Sequence, residues 1–304
     1  MLSVGILANN PVWEEYLTAF SQGAPFRITG SFHHWRPEHP GDQKSLNEAD
    51  AIWIPQKTSE SIGAAIHSLR ESRHVLLGFP LVDFQNEASQ MVQLAREAHV
   101  EVQVGHHDRY HPAFRAVQDI LIKPQYIRVS HNTQVTEGDN AEQLLMEYLL
   151  HDVDAILALI SEPLKKVQAH ISITSAPLKR VINVRLEFHN GTVATICLNN
   201  LNQKQRRELE VIGQDSLYSI DLVQGASQVT RYSANQHKTT KLWPTSGLLG
   251  INSGLVDEET LTRECVSFFY QKKNNLKPLA SIEEGFEALQ ITNTIYQKIG
   301  MTLS

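Results

Sequence analysis

The 304-residue chain is 41% hydrophobic and 20% charged, with a net charge of −6 at pH 7. Such a length and apolar content suit an ordinary globular protein of two domains, each with its own core. Its acidic balance and scattered basic residues, clustered only briefly as in Lys204-Gln205-Arg206-Arg207, argue against nucleic acid as a partner. No apolar run is long enough to span a membrane, and the opening residues 1–7 lack the basic region and length of a signal peptide. Cys197 and Cys265 read as free buried thiols, which suits the cytoplasm.

Up to residue 122 the chain alternates short apolar runs with amphipathic ones. Residues 3–7, 27–32, 51–54, 74–77 and 101–104 read as strands, and residues 11–21, 59–72, 87–98 and 112–121 as helices. That order predicts an α/β domain over 1–122, a Rossmann-like, doubly wound parallel sheet with helices on both faces. Ligands in such sheets bind beyond the carboxyl ends of the strands.

The pattern changes after Lys123-Pro124. Residues 125–134 are strand-like, and an apolar helix covers 143–160. Longer alternating runs follow at 167–174, 181–188, 193–198, 208–212 and 218–222. In 181–188 every second residue is apolar, the pattern of an antiparallel strand with one buried face. His189-Asn190-Gly191 reads as a hairpin turn. Residues 244–256, rich in Gly and Ser, read as a loop, and 258–273 and 281–300 as closing helices. The second domain, 123–304, is thus an α+β unit with an open, mostly antiparallel sheet.

The helix at 143–160 carries the most informative stripe. Glu147, His151 and Asp154 stand at i, i+4 and i+7, on one narrow face of a segment otherwise rich in Leu, Ile, Val and Met. A carboxylate that orients an imidazole can serve proton transfer, with His151 as acid/base and Glu147 as its partner. A structural pair that satisfies itself in the core has the same spacing. The 14 histidines cluster at His33, His34 and His39 and at His106, His107 and His111. His107 and His111 have the helical spacing of metal ligands, but Pro112 starts the helix too late for that geometry, and no metal site is expected. No Gly-x-Ser-x-Gly elbow supports serine catalysis.

Taken in order, these segments resemble the Gfo/Idh/MocA family of NAD(P)-dependent oxidoreductases. Residues 74–81, His-Val-Leu-Leu-Gly-Phe-Pro-Leu, sit where the family has its Glu-Lys-Pro segment. Residues 104–113 are similar to its Gly-x-x-x-Arg-Phe-x-Pro-Ala segment, and Glu147-x-x-x-His151 to its Asp-x-x-x-His helix. Residues 185–194 and 204–207 look most like the branch acting on UDP-N-acetyl sugars. The resemblance implies an oxidoreductase for a sugar or nucleotide sugar, with NAD or NADP as cofactor and a homodimer formed through the C-terminal sheet. The implied cofactor-binding residues are Ala8, Asn9, Asn10, Pro11, Pro55, Gly78, Phe79 and Pro80. His107 and Arg109 are the implied substrate contacts, although an ion pair of Arg109 with Asp108 or Glu147 suits the sequence equally.

The chain departs from the family at its chemistry. The three glycine positions after the first strand read Ala8, Asn10 and Trp13, so the backbone there cannot approach a pyrophosphate as closely as glycine permits. The second strand ends Ser31-Phe32-His33-His34-Trp35-Arg36, with no acid for a ribose, and Arg36 suits a 2′-phosphate instead. Phe79 stands in place of the catalytic lysine and Gly78 in place of the preceding glutamate. The biliverdin-reductase-like branch also has an aromatic at the lysine position. The expectation is therefore weak or absent dinucleotide binding, with a non-catalytic ligand-binding or assembly protein as the alternative function.

Overall fold

The computed structural model describes residues 2–8, 26–32, 34, 48–120, 123–135, 140–173, 179–201, 204–222, 228–233, 238–244, 258–274 and 276–301. The helix expected at 11–21 and nearly all of the loop expected at 244–256 lie outside them. Two compact units emerge, and neither is a single stretch of chain. One comprises Met1–His107 with Leu261–Glu287, the other Asp108–Thr260 with Ala288–Ser304. Among the described residues, no helix is long and apolar enough to cross a membrane.

The first unit is built on a parallel sheet. Its strands are β1 (Leu2–Leu7), β2 (Phe26–Phe32), β3 (Ala51–Ile54), β4 (His74–Leu77) and β5 (Val102–Gln103), in the order β2-β1-β3-β4-β5. Helix α1 (Ser61–Arg70) connects β3 to β4, and α2 (Gln85–Ala98) connects β4 to β5. The sequence order reverses at β1, which has β2 on one side and β3 on the other. This places the switch point, where doubly wound sheets open a ligand crevice, at the ends of β1 and β3.

Alternation along the strands sends Val4, Ile6, Ala51 and Trp53 into one core cluster. That cluster is completed from far along the chain. Cys265, Phe268 and Phe269 of α5 (Glu258–Lys273) pack into it, with the Phe269 ring 4.5 Å from that of Phe26. A fully buried side chain of this kind contributes roughly 1.5–3 kcal/mol of apolar transfer, so α5 is part of this core. β5 is shorter than its sequence run suggests. Its end pairs with the segment before α6 (Ile282–Lys298): Gln103 bridges to Ser281, and Val104 N–H donates to the Ala280 carbonyl at 3.1 Å.

The second unit holds an eight-stranded sheet: β6 (Tyr126–Asn132), β7 (Leu164–Ile173), β8 (Arg180–Phe188), β9 (Val193–Asn199), β10 (Arg206–Ile212), β11 (Ser216–Asp221), β12 (Gln228–Ser233) and β13 (Lys238–Pro244). Its order is β13-β12-β11-β10-β6-β9-β8-β7, antiparallel throughout except for the parallel pair β6–β9. β12 and β13 are additions to the strands read from the sequence.

β8 alternates as its sequence dictates. Ile182, Val184, Leu186 and Phe188 are buried, while Asn183 and Arg185 are exposed. The hairpin to β9 closes through Gly191 N–H to the Phe188 carbonyl at 3.1 Å, with Gly191 at φ +88°. Helix α3 (Pro112–Ile120) precedes β6, and α4 (Ala141–Leu157) follows it. Asn140 caps α4, its side-chain oxygen accepting from Gln143 N–H at 3.2 Å. Neither cysteine is in a disulfide. Cys265 is buried, and burial pushes its thiol pKa up, whereas Cys197 is only half-buried, less than the sequence suggests.

Candidate active site

In the first unit the ends of β1, β3, β4 and β5 lead into Ala8, Pro55, Gly78-Phe79-Pro80 and Gly105. Asn9, Asn10, Pro11, Trp13 and Arg36 lie outside the described residues. The other expected cofactor residues do share one edge, and their backbones are laced together. Gly78 N–H donates to the Ile54 carbonyl at 2.8 Å, and Gly105 N–H to the Phe79 carbonyl at 3.3 Å. A Cβ on Gly78 would lie 2.7 Å from the Pro55 oxygen, and one on Gly105 2.4 Å from the Phe79 nitrogen. Both residues are glycine because backbone meets backbone there, which also excludes a glutamate at position 78 without a shift of the loop.

Phe79 is 6% exposed. Lys57, after β3, forms an ion pair with Asp83 and lies 5.4 Å from the centre of the Phe84 ring. The strand order of this unit suits a nicotinamide dinucleotide, but its side chains do not. There is no glycine in residues 8–13 and no proton-transferring group at position 79, and the space a Cβ of Gly78 would take is filled by Pro55. The residues present do not fit the grip of a glycine-rich turn, and no hydride-transfer step follows from this edge.

The second unit carries a buried charge network around α4. Asp152 is fully buried and accepts from two strands. The His131 Nδ1 on β6 lies 3.0 Å from its Oδ2, and the Arg207 Nε on β10 donates to its Oδ1 at 2.8 Å. His131 and Arg207 are cross-strand partners, so one helix carboxylate meets both. Arg207 reaches on to the turn at His107–Tyr110, where Nη1 donates to Asp108 Oδ1 at 2.8 Å and Nη2 lies 2.6 Å from Oδ2.

Burial opposes the ionisation of Asp108, yet the charge and hydrogen bonds of Arg207, aided by His151 and His111, outweigh it and hold the carboxyl at about 2. Burial likewise opposes ionisation of Asp152, and His131 and Arg207 hold its pKa below the usual value. An ionised Asp152 only accepts, so His131 carries its proton on Nδ1. The His131 ring stands edge-on to Tyr148, with centroids 4.9 Å apart.

The polar stripe of α4 divides. Asp154 is buried and takes a two-pronged bond from Arg109, Nε to Oδ2 at 3.0 Å and Nη2 to Oδ1 at 2.7 Å. Arg109 thus has Asp154 as a buried partner. Glu147 and His151 are half-buried on the same helix, and His151 lies close enough to Asp108 for its charge to act there. In the first unit, His107 Nδ1 lies 2.7 Å from Glu264 Oε2. Helix α3 begins at Pro112, after the turn at 107–110, so His107 and His111 do not share a helix. No cluster of metal-ligating side chains occurs among the described residues.

Sequence reasoning missed Asp152, His131 and Arg207 as a group, although each has a signal. His131 is in phase with buried Ile127 and Val129, and Arg207 with buried Leu209 and Val211. Asp152 follows Leu145 and Leu149 and precedes Ile156 in the buried row of α4. Polar residues in phase with core rows are expected to meet one another.

Residues 123–218 match the GFO/IDH/MocA C-terminal domain. The chain is 24% identical over 186 residues to the UDP-N-acetylglucosamine 3-dehydrogenase of Acidithiobacillus ferrooxidans, a match spanning 60% of this chain and 59% of that enzyme's length. Structures of the enzyme superpose on nearly the whole fold: TM-score 0.80 at 17% identity, over 98% of this chain and 97% of the enzyme's. A dehydrogenase from Chromobacterium violaceum gives 0.80 at 13% identity over 99% and 96%. A biliverdin reductase from Synechocystis sp. PCC 6803, solved with biliverdin and NADP+, gives 0.71 at 14% identity over 98% and 99%. At such identities the structural likeness establishes the fold.

Proposed function

From the match of residues 123–218 to the GFO/IDH/MocA C-terminal domain, we propose that the chain is a member of that family with a function in binding and acting on a sugar or nucleotide sugar. In this reading the protein is a family oxidoreductase that keeps the acid/base pair His151–Glu147 and holds NAD or NADP weakly. One observation carries it: His151 is half-buried on an apolar helix, next to an Asp108 carboxylate that Arg207 keeps ionised. An imidazole in that setting has a charge partner for its protonated form, which general acid–base work requires. The likeness to a UDP-N-acetylglucosamine 3-dehydrogenase supports a nucleotide-sugar ligand. A second reading, a non-catalytic ligand-binding or assembly protein, is favoured by the buried Phe79 and the close-packed Gly78.

Calorimetry with UDP-N-acetylglucosamine tests the ligand, and quenching of the four tryptophans by NADH and NADPH tests the cofactor. The expected result is sugar-nucleotide binding that His151→Ala weakens at least about tenfold, the loss of one charge-assisted bond, with a cooperative melt retained. No binding by the wild-type chain sinks the nucleotide-sugar reading. Dinucleotide binding at micromolar affinity or tighter sinks the weak grip. We extend the proposal to a cytoplasmic homodimer through the outer face of the second sheet, where Asn183 and Arg185 are exposed. A strictly monomeric mass by light scattering at tens of micromolar contradicts the dimer.

A further inference from the structure

The charges bound around α4 do not balance. Arg207 is shared by Asp108, through its Nη atoms, and Asp152, through Nε. One guanidinium thus serves two carboxylates, and one negative charge is in excess. The side chains of Arg207, Asp108 and Asp152 are 11%, 14% and 0% exposed, so water and salt screen that excess only weakly. The Arg109–Asp154 pair, also on α4, adds no net charge. All of these residues belong to the second unit.

Excess negative charge favours a second proton on a nearby imidazole. Three rings are placed to take it. His131 on β6 is bonded to Asp152 through Nδ1, and the charges of His151 on α4 and His111 just before α3 act on Asp108. His131 and His111 are 2% and 7% exposed, and a cation at either ring would be stripped of water. His151 is only half-buried, so the cation costs least there. It directly precedes Asp152 on the helix, and Arg207 reaches from that carboxylate to Asp108. Glu147, four residues earlier on α4, is a further acid on the same stripe.

We propose that the unbalanced set Asp108–Arg207–Asp152 holds a second proton on the His151 ring at neutral pH, so that the acid/base group rests in its donating form. This rests on the reading of His151 as acid/base, and it makes Asp108 and Arg207 partners of that group besides Glu147. When His151 passes the proton to a ligand oxygen, the ring becomes neutral and the set is left with its one excess charge. Asp108, Asp152 and Arg207 are positioning residues, because they act on a ligand only through His151.

The test titrates the histidine ring protons of the full-length chain by NMR, with His151 assigned by its absence in His151→Gln. In the wild type the His151 midpoint should lie above that of histidine in the urea-unfolded chain. Asp108→Asn keeps an acceptor for Arg207 but cancels the excess charge. It should lower the midpoint by about one pH unit, a tenfold loss of proton affinity. Asp152→Asn should lower it in the same direction, and it carries the test if Asp108→Asn does not fold. Arg207→Lys preserves the charge count and should leave the midpoint nearly unmoved.

A wild-type midpoint at or below the unfolded value overturns the inference. So does a midpoint that neither asparagine variant lowers. A fall in Arg207→Lys as large as that in Asp108→Asn also overturns it, because packing rather than charge then sets the ring. None of these outcomes depends on a ligand. Absence of any heat of binding with UDP-N-acetylglucosamine overturns the acid/base reading on a nucleotide sugar, and with it the use of the proton, while the titration still decides whether the set holds one.

Discussion

Replacing Arg207 by methionine removes a cation that joins the carboxylates of Asp108 and Asp152. Arg207 Nε serves Asp152 and its Nη atoms serve Asp108, so the substitution leaves both acids without their shared counter-charge. The Asp108 pKa alone, held at about 2 against an ordinary 3.8, corresponds to about 2 kcal/mol at neutral pH. Asp152, also held below its usual value, adds to this. Stranding a partner of a buried ion pair typically costs about 3–5 kcal/mol. We expect Arg207→Met to destabilise the second unit by about that amount at pH 7, a fall in melting temperature of about 10 °C for a domain of this size.

The cost should depend on pH with a definite sign. The folded pKa of Asp108 lies below the unfolded one, so its stabilisation is complete above the unfolded value and is lost as pH falls through about 2. At pH 3 about half of the Asp108 contribution remains, and the gap between variant and wild type should narrow by about 1 kcal/mol or more. Urea unfolding followed at pH 7 and pH 3 measures both quantities. A penalty below about 1 kcal/mol at pH 7, or one that does not change with pH, would falsify the view of Arg207 as a shared buried counter-ion.

Further outcomes are expected elsewhere. Burial first, and then the charge of Lys272, lower the His74 pKa to about 4, and its Nδ1 already accepts from Glu101 N–H at 2.9 Å. Its folded pKa is below the unfolded one, so this contribution is present above about pH 6.5 and fades as pH falls toward 4. The wild type should lose about 1 kcal/mol between pH 7 and 5, discounted for partial exposure, and His74→Asn, which keeps an acceptor but does not titrate, should flatten that slope in thermal melts. Gly105→Ala should cost about 1–3 kcal/mol of unfolding free energy, because its Cβ would sit 2.4 Å from the Phe79 nitrogen; a neutral alanine there contradicts the close packing. Phe79→Lys should raise turnover about 10²-fold if only a proton-transfer group is missing, and an unchanged rate in a protein shown to bind NADH argues against that role for position 79.

Much of this architecture was legible in the residues. Short continuous apolar runs marked β1, β3 and β4, period-two alternation marked β8 and β9, and the apolar segment with its polar stripe marked α4, because these patterns are local consequences of burial on one face or both. The two sheet types followed from strand and helix alternation in one half and strand runs in the other. β12 and β13 were not legible. Their sequences, Gln-Val-Thr-Arg-Tyr-Ser and Lys-Thr-Thr-Lys-Leu-Trp-Pro, lack a strong apolar alternation, and they are strands because β11 offers β12 a ladder and β12 then offers one to β13.

The site divides in the same way. The sequence alone determined which side chains could carry charge or a proton: Glu147, His151, Asp154, His107 and Arg109, and the absence of lysine at Phe79. Only the tertiary structure decided their partners. Arg109 went to Asp154, His107 to Glu264 across more than 150 positions, and Asp152 to a histidine and an arginine on neighbouring strands. It also returned α5 to the core of the parallel sheet. A sequence specifies that a helix has an apolar face or that a strand row contains a charge, but the surface that covers the face, and the opposite charge that meets the row, come from elements distant in the chain. Their pairing is set by which arrangement buries the most apolar area while leaving the fewest charges unmatched.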